Sequence, residues 1–328
     1  MGRDWRPDFE PRTIHRELEI IKNDLHCTAV HIGALDLDRL TLAAEDALGQ
    51  GLEVWLSPEM WDHNAKETRE YLVEAARAAE LLRVRWPNQL VLSIGTELTF
   101  FMHGIVPGDS FTERLSHPKL WETLRAGTHN ERLNAFLCET TAAVREEFHG
   151  KVTYASLHGE TVDWSLFDIV SVDLYRDQSN RNYYGALIAR YQAHGKPVAL
   201  TEFGCCTYRG AEDAGGAGWN IADFESVPPR LKGDYIYDQG LQAREVADQL
   251  RVIDETGVDA AFVFTFVQPP QVVSDEEKQM IREIDFDFDI ISYSLVKSLL
   301  DRHGTTYPDM AWEPKESFQA VAEHYGHT

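Results

Sequence analysis

Val198-Ala-Leu-Thr-Glu202-Phe-Gly-Cys-Cys-Thr207 is an apolar run that follows Pro197, ends in a carboxylate and breaks at a glycine. It reads as a buried parallel strand delivering Glu202 to its C-terminal end. About a hundred residues earlier, Val91-Leu-Ser-Ile-Gly95-Thr-Glu97 has the same form. Two carboxylates at the exits of two strands of one barrel face each other across its mouth, where barrel enzymes keep their chemistry.

Working outward, helical and extended patterns alternate along the whole chain. Helices are predicted over 11–23, 40–50, 66–85, 130–148, 183–193, 237–255 and 312–325, the last with Pro314 near its start. Strands are predicted over 28–32, 53–56, 90–95, 151–155, 168–175, 198–203 and 258–267. The order is βαβα with no linker to split it, so the chain reads as one parallel α/β domain over 1–328, a (β/α)8 barrel. Seven strands are countable, and residues 1–10 offer no apolar run for an eighth; the expectation is a barrel lacking a regular first strand. Two long connections stand out, 98–128 and 205–236. The second contains Gly210-Ala-Glu-Asp-Ala-Gly-Gly-Ala-Gly218, which matches no phosphate-binding pattern and reads as a mobile lid or rim loop.

Of the 328 residues, 43% are hydrophobic, enough for a substantial core. The formal net charge of -23 repels phosphate backbones, which argues against nucleic acid as a partner. No apolar run reaches the length of a membrane span, and the start MGRDWRPDFEP lacks a signal-peptide pattern, so a soluble cytoplasmic protein is expected. Cys27, Cys138, Cys205 and Cys206 do not form a secreted disulfide framework and are expected as free thiols. The titratable residues lack metal-ligand spacing, so no metal or other cofactor is expected. The acidic run Asp285-Phe-Asp-Phe-Asp289 alternates like a calcium loop but lacks its glycine and closing Glu, and reads as a solvated edge.

At Glu97 and Glu202, with Thr201-Glu-Phe-Gly204 around the second, the chain resembles the large clan of retaining glycoside hydrolases with (β/α)8 barrels. The resemblance implies that Glu97 is the acid/base ending strand four and Glu202 the nucleophile ending strand seven, once a missing first strand is counted. Tyr175 stands where that clan often has an aromatic ring beside the nucleophile. Three positions depart from the pattern: Thr96 replaces an Asn that contacts the sugar 2-hydroxyl, His31 replaces an Arg that supports the nucleophile, and Phe262-Val-Phe-Thr-Phe266 offers only Phe where a Trp is common. The segments 25–30, 172–177, 201–210 and 307–315 also resemble an actinobacterial family of hypothetical proteins often labelled abortive infection proteins, a label that carries no chemistry.

Retaining hydrolysis needs two carboxyl groups roughly 5–5.5 Å apart, one protonated and one ionised. Neighbouring charge and burial raise the acid, while hydrogen bonds keep the nucleophile ionised. Around the pair, Tyr175, Asp173, Trp61, His158, Thr96 and His31 are the candidate substrate-binding residues, with Glu59, His63 and Glu160 beside them. Trp55, inside an apolar run, reads as core. The expected substrate is a small carbohydrate or metabolite. Two rival readings use the same residues: carboxylate acid/base chemistry on a non-sugar metabolite, and a non-catalytic binding or phage-defence protein.

Overall fold

The computed structural model describes residues 6, 9–224, 226, 229–268, 287–300 and 302–326. Seven parallel strands pair in chain order: β1 (Ala29–Ala34), β2 (Glu53–Pro58), β3 (Leu90–Thr96), β4 (Lys151–Leu157), β5 (Val170–Asp173), β6 (Val198–Phe203) and β7 (Ala260–Val263). They curl into a nearly closed barrel. Its interior is filled by Trp55, Val91, Ile169, Ala199 and Phe262. Phe262 of β7 lies 5.7 Å from the His31 ring of β1 and 5.1 Å from Trp55 of β2, centroid to centroid, so side chains cross between the two ends of the sheet. Among the described residues β1 and β7 are the sheet's outer strands and no eighth joins them. Trp55 is core, as the apolar run implies: it is 2% exposed.

The longer helices are α1 (Pro11–Asn23), α2 (Leu37–Gly49), α3 (Ala65–Arg85), α4 (His129–Glu147), α5 (Tyr184–Gln192), α6 (Gln239–Thr256) and α7 (Glu316–Gly326). Local chemistry sets their ends. Pro11 opens α1. Asn64 and Glu67 form a reciprocal capping box at the start of α3. Asp238 accepts from the Leu241 N–H at the start of α6, and Gly257 ends that helix in the left-handed conformation.

Two predicted stretches fold otherwise. Trp312–Pro314 is not helical; it pairs antiparallel with Val296–Ser298, and the helix begins only at Glu316. The tertiary partners of Trp312 decide this: its indole N–H donates to Glu17 of α1 (3.0 Å) and its ring packs on Phe266 (5.4 Å). Asp289, expected in a solvated run, is 8% exposed, accepts from the Tyr237 hydroxyl (2.6 Å) and lies 3.3 Å from the buried Lys315 ammonium. Asp285 and Phe286 lie outside the described residues.

The 98–128 connection is built of three short helices, Leu98–Phe101, Phe111–Ser116 and Leu120–Ala126. Arg114 organises it. Its side chain is fully buried and its guanidinium donates to the Phe100 and Gly108 carbonyls and to the Asp62 carboxylate. Removing one partner of a buried pair strands the other charge, at a cost of about 3–5 kcal/mol. Arg114→Met is therefore expected to lower the unfolding free energy by about that amount in a denaturant titration. A loss below about 1 kcal/mol, within the range of an exposed pair, would contradict this role for Arg114.

Candidate active site

The strand exits place the carboxyl groups. The β3–β4 register shifts between Ser93 and Thr96. Gly95 at φ +116° permits this, and the Leu98 side chain lies 3.1 Å from where a Cβ would sit. Glu97 then takes the left-handed conformation (φ 40°, ψ 44°), its N–H donating to the Ala155 carbonyl (2.9 Å). The turn is held from behind. The Leu98 N–H donates to the Tyr154 hydroxyl (2.8 Å), which donates to Glu160 (2.8 Å). Glu160 also accepts from the Thr99 and Leu157 N–H groups (3.1 and 3.0 Å). Glu160, expected only to line the mouth, thus brackets the backbone immediately after Glu97.

On the other side, β5 and β6 bring Asp173 and Glu202 into register as neighbours, after a shift between Val172 and Asp173. The Tyr175 hydroxyl donates to Glu202 Oε2 (2.8 Å). Thr96 Oγ1 donates to Asp173 Oδ2 (3.0 Å), joining the Glu97 strand to the Glu202 side. Asp173 is 2% exposed, and the Thr201 and Thr96 hydroxyls beside it both favour its ionised form. Glu59, just beyond β2, occupies space left by Gly33, whose Cβ would lie 2.1 Å from Glu59 Oε1.

The glycine-rich segment packs beside Tyr175. A Cβ at Gly216 would lie 3.0 Å from the Tyr175 ring. The Tyr293 hydroxyl donates to the Gly215 carbonyl (2.7 Å) and accepts from the Gly218 N–H (2.9 Å), while the Tyr293 ring meets Tyr175 edge-on at 5.4 Å. Gly216 leaves room for the Tyr175 ring, and Gly218 for the Tyr293 hydroxyl and the Cys206 thiol. Cys205 and Cys206, just after Glu202, are free and buried, and burial pushes both thiols well up.

Like charges crowded at one end of the barrel set the electrostatics. Burial raises Glu97 far above the carboxylate range, and the charges of Asp173, Glu202 and Glu160 add to it. Glu202 is pushed up to about 7 by burial; the Tyr175 hydrogen bond pulls it down and Glu59 pushes it up. Asp173 is raised by burial and then by Glu202. Glu59 reaches about 7 through burial and Asp173, and Glu160 about 7 through burial. His31 is lowered to about 4 by burial, so its ring is neutral, and its Nε2 has no partner.

The other candidates separate. Trp61 and Thr96 line a small cavity with Glu59, and Trp61 stacks on Phe101 at 4.2 Å. His158 does not join the cluster: it is exposed and shares a hydrogen bond with the Tyr191 hydroxyl of α5 (3.0 Å). The Leu157–Glu160 turn directs Glu160 inward and leaves His158 outside. Sequence reasoning passed over Glu59 and Glu160 as principal residues, although both follow a strand as Glu97 does.

The architecture is that of glycoside-hydrolase barrels. A GH113 beta-1,4-mannanase superposes with a TM-score of 0.61 at 14% identity, covering 98% of this chain and 94% of its own. A GH113 beta-mannanase from Alicyclobacillus acidocaldarius gives 0.61 at 16% identity, covering 98% and 93%. A beta-glucuronidase from an uncultured Clostridium sp. gives 0.54 at 14% identity, covering 98% of this chain and 48% of its own. No family model and no curated protein matches the chain. The likeness to the actinobacterial family draws no support from these matches, whereas the barrel expected from the strand order is found. Among the described residues no helix is long and apolar enough to cross a membrane.

The raised carboxyl groups fix a stability trend. Glu59, Glu160 and Glu202 hold their protons up to about 7 in the folded chain, against an ordinary value of 4.5. Between those values the folded state binds protons that the unfolded state has released, so their contribution to stability falls as pH rises through the window. The melting temperature of Glu59→Gln should therefore gain on wild type as pH is raised from about 4.5 to about 7.5. A constant difference across that window would contradict the assignment.

A second expectation concerns the glycine-rich segment. Gly216→Ala should push the Tyr175 ring and weaken its bond to Glu202, reproducing the shift in Glu202 ionisation caused by Tyr175→Phe. Carboxyl titration followed by NMR checks it; an unmoved Glu202 in Gly216→Ala would refute the coupling.

Proposed function

We propose that the chain is a retaining glycoside hydrolase in which Glu202 is the nucleophile and Glu97 the acid/base. The observation that carries this reading is the unequal treatment of two carboxyl groups at one barrel mouth. Glu202 receives the Tyr175 hydrogen bond, which favours its ionised form. Glu97 is raised by burial and by three negative neighbours, which favours its protonated form. That is the division of labour retention requires. The barrel neighbours, a beta-mannanase and a beta-glucuronidase, support carbohydrate as the substrate class.

In the first step Glu202 attacks the anomeric carbon while Glu97 gives its proton to the departing oxygen. The glycosyl ester on Glu202 carries no charge, so one cause of the raised Glu97 pKa disappears. Glu97 then accepts a proton from water, which attacks the ester and frees Glu202. Tyr175 keeps the attacking carboxylate oriented, and the Glu160–Tyr154 network keeps the Glu97 turn in place.

A non-sugar metabolite has one observation in its favour. The Thr96 hydroxyl, at the position where the resembling clan has an Asn for a sugar hydroxyl, is committed to Asp173. Labelling separates the readings. A panel of 2-fluoro-glycosides, beginning with the beta-mannoside, should leave a stable adduct on Glu202 detectable by mass spectrometry. Glu202→Ala should abolish turnover, whereas Glu97→Ala should lose about 10²–10⁴-fold on glycosides with poor leaving groups. On activated aryl glycosides the Glu97→Ala loss should be smaller, and azide should restore its rate. A folded protein that forms no adduct with any sugar would favour the metabolite reading.

A further inference from the structure

The two carboxyl groups assigned to catalysis are held in different ways. Glu202 is held by the carboxyl group itself, through the Tyr175 hydroxyl. Among the described residues the Glu97 carboxyl group makes no hydrogen bond, so its direction is set by its backbone. That backbone is left-handed, a conformation that carries a penalty for a residue with a Cβ and persists only where neighbours hold it. Glu97 opens the four-residue helix Leu98–Phe101, its carbonyl accepting from the Phe100 and Phe101 N–H groups (2.8 and 3.2 Å). The first N–H groups of a helix have no partner inside it. Here the partners come from β4 and the turn after it. The Leu98 N–H donates to the Tyr154 hydroxyl, and the Thr99 N–H to Glu160 Oε1. The Tyr154 hydroxyl and the Leu157 N–H both donate to Glu160 Oε2. Glu160 is 9% exposed, and all of these partners belong to the protein.

We infer that Glu160 is the positioning residue of Glu97: with Tyr154 it caps the short helix from a neighbouring strand, and so fixes where the acid/base carboxyl group points. The role rests on the hydrolase reading, but the hold itself can be measured without a substrate. A carboxyl group suits the task because its two oxygens take three donors at once; an amide cannot, since one of its ends is itself a donor. A phenol suits the middle position because it accepts and donates together. A second effect is electrostatic. The hydrogen bonds to Glu160 favour its ionised form against burial, and above about 7 its charge helps to hold the proton on Glu97. Asp173 of β5 and Glu202 of β6 act on Glu97 in the same direction, and Tyr154 and Tyr191 of α5 complete the titratable surroundings of Glu160.

Two variants separate the hold from the charge. Glu160→Gln removes the charge and turns an amide NH2 toward the Thr99 N–H, whereas Tyr154→Phe frees the Leu98 N–H and leaves the charge; a melting curve establishes that each is folded. Native-state hydrogen exchange should show Thr99 exchanging at least about 10-fold faster in Glu160→Gln, and Leu98 in Tyr154→Phe, with the β5 and β6 amides as in wild type. The Glu97 carboxyl group, followed by NMR and assigned by its absence in Glu97→Gln, should titrate lower in Glu160→Gln because a negative neighbour is gone, and should move less in Tyr154→Phe. On glycosides with poor leaving groups both variants should lose about 10- to 100-fold in kcat with little change in KM. On activated aryl glycosides the loss should be smaller, since the displaced group is the acid. General damage to the fold would lower both classes alike. Equal losses on the two classes, or Leu98 and Thr99 amides and a Glu97 titration that match wild type, would overturn the inference. Exchange and titration that move as stated, in a protein that no 2-fluoro-glycoside labels, would support the hold and refute the hydrolase reading; a labelled protein in which neither moves would do the reverse.

Discussion

Coulomb repulsion among crowded carboxyl groups is the constraint on which the rest of the molecule depends. Glu59, Glu97, Glu160, Asp173 and Glu202 share one end of the barrel. Two like charges about 5 Å apart at an effective dielectric of about 20 repel by roughly 3 kcal/mol. The cluster cannot ionise as a whole, so protonation is divided among its members, and hydrogen bonds decide which member yields first. Tyr175 tips that decision toward Glu202. The scaffold must then hold its like charges together. It does so with backbone N–H groups around Glu160, with the Thr96 hydroxyl on Asp173, and with a wall of glycines that keeps Tyr175 upright.

The irregular backbone lies where this holding is needed. Register shifts fall between Ser93 and Thr96, Val172 and Asp173, and Leu200 and Phe203, each toward the C-terminal end of its strand. The opposite end pairs regularly and is filled by large side chains such as Trp55. Bulges at a barrel rim redirect side chains from the wall toward the mouth. Here they turn neighbouring strand ends toward a common point. The rigid part of the barrel is thus separated from the adapted part along each strand.

Much of this was legible in the sequence, because a parallel strand buried on both faces has a short apolar signature and its exit residue can be counted. That reasoning reached Glu97, Glu202, Asp173 and Tyr175. It gave Glu160 only a minor place, because that residue is separated from its strand by a turn and is drawn inward by the Tyr154 hydroxyl, a hydrogen bond that no periodicity reveals. It misread 312–314 because Glu17 lies almost three hundred residues away and competes with helical propensity. It could not show what the glycine run packs against, because small residues look alike whether they serve motion or close packing. The packing reading needs the tyrosines opposite, and those come from distant segments. The Asp289 environment was hidden for the same reason, since Lys315 and Tyr237 meet it only in the folded chain.

The left-handed backbone at Glu97 has a bearing on how this protein can change. A residue with a Cβ in that conformation carries a penalty of roughly 1–2 kcal/mol, which glycine does not share. Glycine is therefore the replacement that relaxes the turn, and it is also one that deletes the carboxyl group. Selection for thermal endurance alone would drift toward a more robust and chemically silent barrel at this position. Persistence of Glu97 in a lineage would then record continuing use of its carboxyl group, a history that the fold by itself does not preserve.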